Sequence, residues 1–272
     1  MIRKITAMYF SATDTTKKIV CQIAHKIFQF NNREFTINKI DFTLPGARRE
    51  PVTFGEDDLV IIGVPVYAGR VPNVLLKYLN TIQGNGALAV TVVLYGNRNY
   101  DDALIELKDI VEGDGFQVIA GGAFIGEHSF SRILAKGRPD EKDLIQVSDF
   151  ARQIYGKITN PEKIQAVTVE GHRPYRKYYM PKDAQGNPVD IRKVTPKTNK
   201  ECIDCKLCVR VCPMGSIDMS DVGKINGICI KCGACIKKCP VQAKYFDHRD
   251  YLRHKEELEI DYAERKEPEI FI

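Results

Sequence analysis

Residues 202–213 read Cys202-Ile203-Asp204-Cys205-Lys206-Leu207-Cys208-Val209-Arg210-Val211-Cys212-Pro213, and residues 229–240 read Cys229-Ile230-Lys231-Cys232-Gly233-Ala234-Cys235-Ile236-Lys237-Lys238-Cys239-Pro240. Both have the spacing C-x2-C-x2-C-x3-C-P, and the second begins 27 residues after the first. Such an internal repeat means two copies of one small unit. Three closely spaced thiolates wrap three corners of an iron–sulfur cubane. The chain then leaves in a short helix, which turns the fourth cysteine toward the other cluster. The spacing therefore predicts two [4Fe–4S] clusters with crossed ligation. Cys202, Cys205, Cys208 and Cys239 hold one; Cys229, Cys232, Cys235 and Cys212 hold the other. Zinc fits poorly, because its sites present separated C-x2-C pairs that each close on four ligands. Pro213 and Pro240 turn the chain after each crossing ligand, and Ile203, Val209, Ile230, Ala234 and Ile236 would shield the sulfurs from water.

Outward from this repeat the pattern changes on both sides. Toward the C-terminus a charged helical tail runs from about Arg249 to Arg265 within 247–272. Toward the N-terminus, residues 161–197 form a basic connector punctuated by Pro161, Pro174, Pro181, Pro188 and Pro196. Proline lacks an N–H and fixes φ, so no long helix or central strand fits there. The aromatic run Tyr175, Tyr178 and Tyr179 implies that this connector packs against something.

The first 160 residues alternate between β-branched runs and amphipathic helical patterns. Strands are expected at Lys4–Tyr9, Glu34–Ile40, Leu59–Val64, Leu88–Tyr95 and Gln117–Phe124. Helices are expected at Thr15–Phe30, Val71–Thr81, Asp101–Glu112 and Glu141–Ile158. In the first helix Ile19, Ile23 and Ile27 recur at four-residue spacing, with Val20 and Ala24 widening the apolar face. Val60-Ile61-Ile62 and Ala89-Val90-Thr91-Val92-Val93-Leu94 are apolar without alternation, as central parallel strands covered on both faces should be. The expected architecture is α/β, a five-stranded doubly wound parallel sheet over 1–160, followed by the connector and a small α+β two-cluster domain over 198–246.

Three loops follow strands at one sheet edge, where open parallel sheets bind ligands. Ser11-Ala12-Thr13-Asp14-Thr15-Thr16 lies between a strand and a helix N-terminus, where backbone N–H groups, hydroxyls and the helix dipole cradle an anion. Asp14 or Thr15 could equally be an ordinary helix cap. The second loop carries Pro65, Val66, Tyr67, Ala68 and Gly69; the third carries Tyr95, Gly96, Asn97, Arg98 and Tyr100. Each brings an aromatic ring and glycines that let backbone approach a flat ligand.

On these loops and their order, residues 1–160 resemble the flavodoxin-like fold, while 198–246 closely resemble bacterial 2[4Fe–4S] ferredoxins. The whole chain resembles a family of flavodoxin–ferredoxin fusion electron-transfer proteins of anaerobes. The resemblance implies FMN, with the first loop on its phosphate and the other two around its ring. It also implies redox function with protein donors and acceptors of electrons, and it names no substrate. One departure stands out. Where flavodoxins usually read T-G-x-T, this chain has Thr13-Asp14-Thr15-Thr16. Aspartate can adopt a glycine-like backbone, but its carboxylate repels a phosphate. A flavin-free docking domain is therefore an alternative, as is a flavin-dependent reductase of a quinone or nitro compound fed by the clusters. Arg70 and Arg98 lie in the presumed flavin loops, where a cation near the ring would raise its potential. His128 could protonate a small acceptor, although a structural histidine is the commoner case.

Composition narrows the rest. Residues 1–160 carry 19 Lys/Arg against 18 Asp/Glu, residues 161–240 carry 15 against 8, and residues 241–272 carry 6 against 9. Each oxidised cluster with four thiolates adds about −2, which offsets much of the basic excess without invoking nucleic acid. No apolar stretch reaches the roughly 18 residues a membrane span needs, and the start reads directly into a strand. A cytoplasmic protein is expected, in which clustered cysteines mean metal or redox chemistry instead of disulfides. Cys21, alone on a helix, reads as a small hydrophobe.

Overall fold

The computed structural model describes residues 2–32 and 34–272. Met1, with which the expected first domain begins, and Arg33 lie outside the described residues. Strands β1 (Lys4–Tyr9), β2 (Thr36–Asp41), β3 (Asp58–Pro65), β4 (Leu88–Tyr95) and β5 (Gln117–Ile125) pair in parallel in the order β2-β1-β3-β4-β5. That is the flavodoxin-like order, with its switch point between β1 and β3. The strands β3 and β4 are buried along nearly their whole length, as their unbroken apolar runs require.

Helices cover both faces. On one, α1 (Thr15–Phe30) packs Ile19, Ile23 and Ile27 with Val147, Phe150 and Ile154 of α4 (Glu141–Ile158). On the other, α2 (Asn73–Leu79) and α3 (Ala103–Gly113) bury Leu75, Leu79, Leu104, Leu107 and Val111. Each such side chain contributes about 1.5–3 kcal/mol on leaving water. The helix α2 is shorter than its apolar pattern, because Tyr67 and Arg70 close a backbone turn before it and Pro72 occupies its N-cap.

The second half shows two features that bear on the expected plan, the first a departure from it and the second the packing that the tyrosine run implied. First, the sheet has six strands, not five. After α7 (Arg249–Asp261), β8 (Glu269–Phe271) pairs antiparallel with β5. Three residues are too few to show a period, so this strand was invisible as a pattern. Second, the connector is a strap. Val167 donates its N–H to the Val118 carbonyl, and Val167 and Val169 are buried in the core. Fully buried Asp102 accepts from the His172 and Arg176 N–H groups and from the Arg176 guanidinium. That guanidinium, first among these partners, holds its carboxyl well below the usual carboxylate range. Arg173 and Tyr175 grip Asp109 on α3, and Tyr178 donates to the Val71 carbonyl at 2.9 Å.

The small domain contains α5 (Leu207–Arg210), α6 (Ala234–Lys237) and a short antiparallel pair, β6 (Lys197–Thr198) with β7 (Lys244–Tyr245). Among the described residues, no helix is long and apolar enough to cross a membrane.

Candidate functional site

The cysteine repeat is a repeat in three dimensions. Asp204 and Lys231, 27 residues apart, have φ 53° and 54°; Lys206 and Gly233 have φ 57° and 75°; Gly215 and Gln242 have φ 61° and 52°. A short helix carries the third cysteine of each set, Cys208 in α5 and Cys235 in α6. The Ser216 N–H points to Cys212 Sγ at 3.4 Å, and the Ala243 N–H to Cys239 Sγ at 3.2 Å.

Cys212, Cys229, Cys232 and Cys235 share the wall of one small apolar cavity of about 30 Å³, with Ile217, Ile230 and Phe246. This is the set named by the crossing rule for one cluster, so donor number and chemistry fit the group. Burial pushes the Cys232 thiol up to about 12 and also raises Cys229 and Cys235. In the other set Cys205 is exposed, and the neighbouring Ile203 is 63% exposed.

A second, larger cavity of about 660 Å³ opens at the C-terminal edge of the sheet, within the range of small-molecule sites. The loop after β3 contributes Val66, Tyr67, Ala68 and Gly69; the loop after β4 contributes Tyr95, Gly96 and Arg98. Cys229, Ile230 and Lys231 of the cysteine loop form part of the same wall. Tyr67 stands in this wall: burial, and then the nearby Cys232 and Cys229, raise its phenol well above the ordinary value.

Other residues expected at the site stand elsewhere. Asn97 donates to the carbonyls of Tyr262 and Glu264, tying down the C-terminal tail. Tyr100 packs on Tyr95 and donates to Glu269. Ser11 to Thr16 and Pro65 lie outside the cavity wall. The Ser11 N–H bonds Thr43 Oγ1, and its hydroxyl accepts from the Lys17 N–H. Asp14 takes the left-handed backbone, φ 66°, that glycine would supply, and its carboxylate turns out to Lys238 Nζ at 2.9 Å.

Both cavity glycines answer to protein neighbours. A Cβ on Gly96 would lie 2.3 Å from the His128 ring, and one on Gly69 would lie 2.2 Å from Asp101. Arg70 is held bidentate by Glu106 between the rings of Tyr175 and Tyr178, so its charge serves the strap and not a ligand. Arg98 lines the cavity, paired with Asp101 and stacked on Tyr179.

The sequence reading missed Phe130, Tyr179, Met180, Ile191 and His254, which complete the cavity. They come from the strap, from the loop after β5 and from α7, and nothing local marks them. Only the tyrosine run at 175–179 hinted that the strap packs. His128 accepts the Phe130 N–H at Nδ1, which leaves the proton on Nε2; burial pushes its pKa down to about 3. His254 is 5% exposed, and among the described residues its Nδ1 has no hydrogen-bond partner, the Glu257 carboxylate standing 3.8 Å away.

Residues 154–256 match the family described as the 4Fe-4S dicluster domain. Among solved structures, a flavodoxin from the domain Archaea is 14% identical with TM-score 0.40, covering 58% of this chain and 99% of that one. Flavodoxin 2 from Bacillus cereus is 15% identical with TM-score 0.41, covering 57% and 99%. A Fusobacterium nucleatum flavodoxin bound to flavin mononucleotide is 18% identical with TM-score 0.38, covering 57% and 98%. The strand order itself, not these modest superpositions, identifies the sheet. No curated protein matches the chain.

Proposed function

From a flavodoxin-like domain fused to a 4Fe-4S dicluster domain, we propose a redox carrier with two [4Fe–4S] clusters and one FMN. The carrying observation is that Cys229 stands in the wall of the cavity formed by the loops after β3 and β4. A cluster held by Cys229 would lie beside a flavin in that cavity. A flavin stores two electrons and each cluster one, so the pair converts between one- and two-electron traffic.

This chain's own residues set the order of that traffic. The exposed Cys205 and Ile203 offer the Cys202–Cys208 cluster to a protein partner. The half-buried Cys229–Cys235 set reaches the cavity through Cys229, and Tyr67 lines the same wall. Val66, Tyr67 and Gly96 would bind the ring, while the strap residues Tyr179 and Met180 exclude water from it. The test is the iron, sulfide and flavin content of protein purified without oxygen. Eight irons with one FMN are expected; eight irons without flavin after FMN is added would leave a ferredoxin with a docking domain.

A second reading, a reductase of a small acceptor, is favoured by one observation: His128 and His254 both face the cavity. His128 would hold its proton on Nε2 toward a bound acceptor. Steady turnover with a quinone or nitro compound would support it, and reaction with protein partners only would remove it.

A further inference from the structure

The small domain is clamped to the sheet edge beside the segment that carries Cys239. Lys238, directly before Cys239, pairs with Asp14 in the loop after β1 at 2.9 Å. Lys237 is 12% exposed; it pairs with Glu127 in the loop after β5 and donates to the Ser131 carbonyl at 2.7 Å. Between these two grips Ala234 is fully buried in the main core with Phe10 and Ala12. The backbone approaches so closely that a Cβ on Gly233 would stand 2.6 Å from the Ser129 oxygen. In the other half of the repeat, the residue equivalent to Lys237 is Arg210, which is exposed.

We propose that Lys237 and Lys238 are positioning residues for internal electron transfer, holding the Cys229–Cys235 loop at a fixed distance from the cavity through Glu127 and Asp14. This rests on the two-cofactor reading above. It also gives Asp14 a role: the residue that departs from the flavodoxin loop is the anchor for the second domain. In the step concerned, one electron leaves the reduced cluster, which is thereby oxidised by one, and enters the flavin. A reduced viologen, a one-electron donor, supplies it.

Two partners of different exposure should differ in effect. Asp14 is 60% exposed and Glu127 29%, and exposed pairs contribute little, so Lys237 carries the larger share. The experiment follows flavin bleaching by stopped flow after viologen reduces the clusters. It compares the native chain with K237M, K238E, K237M/K238E and the charge swap D14K/K238E. Amide hydrogen exchange over Gly233–Lys238 is measured in parallel.

With iron content unchanged, K237M/K238E should slow flavin reduction about tenfold or more, since small misplacements of reacting groups are costly in rate. It should also raise exchange over Gly233–Lys238. D14K/K238E should recover most of what K238E loses, the signature of a direct pair. Native rate and native protection in K237M/K238E would overturn the proposal. If the native protein takes up no FMN, the two-cofactor reading fails, and the exchange data decide by themselves whether the clamp exists.

Discussion

Lys206 and Gly233 hold equivalent places in the two cysteine loops, both in left-handed backbone with φ 57° and 75°. One carries a long side chain and the other none. In the first loop Lys206 carries its side chain at the turn and pairs with nearby Asp204. In the second, the Ser129 carbonyl lies where a Cβ would be. A cluster motif asks only for the turn, which several residues can make. Docking against a second domain asks for glycine. The difference between the halves therefore records which cysteine loop faces inward.

The largest test of this asymmetry removes one ligand from each half. Cys205→Ala should lose about half the iron and the supply of electrons from a protein partner, while direct reduction of the flavin through the other cluster persists. Cys229→Ala should also lose about half the iron, but it should abolish cluster-driven flavin reduction, because the lost cluster is the one beside the cavity. Iron assay with stopped-flow reduction separates them; identical behaviour of the two variants would break the comparison.

A smaller effect is expected from the turn itself. Gly233→Ala meets both a left-handed φ and the Ser129 oxygen, a combination expected to cost about 1–3 kcal/mol. Lys206→Gly should change stability by less than about 1 kcal/mol, because the conformation is already one glycine prefers. Unfolding rates of cluster-loaded protein check the pair, and equal losses would mean the interface does not select glycine.

The smallest effect concerns pH. Folded His128 titrates near 3 in place of 6.5, chiefly through burial. Between those values the unfolded chain binds more protons, so stability falls as pH drops from about 6.5 toward 3. The ceiling is about 1.4 kcal/mol per pH unit, and less for a ring in an open cavity wall. His128→Asn should flatten the acid side of the stability curve while leaving neutral pH almost unchanged. An unaltered slope between neutral pH and the onset of acid unfolding would show that His128 is not the group responsible.

Much of the site was legible because its determinants are local. Cysteine spacing within twelve residues marks a 4Fe-4S domain, and the 27-residue period reports the repeat that the backbone angles reproduce. The unbroken apolar runs at 60–62 and 89–94 marked central strands, because a strand covered on both faces has no polar side. Asp14 could be flagged as a departure from a familiar loop. Where its carboxylate goes could not, since Lys238 is 224 residues away in the chain. Nor could Arg70 be told from a ligand-facing cation until Glu106, on a different helix, was seen to hold it.

Two kinds of information thus built this protein. By itself the sequence determined one cysteine unit present in two copies, a parallel α/β sheet and three loops at one edge of it. Each of these follows from spacing, periodicity or the alternation of strand and helix, properties of residues close together in the chain. Tertiary structure alone decided that the strap walls the cavity, that β8 completes the sheet, and that the Cys229 loop faces inward while the Cys205 loop faces solvent. Those outcomes depend on pairs such as Asp102 with Arg176 and Asp14 with Lys238. Such partners meet only after the chain has folded, so no local pattern encodes them.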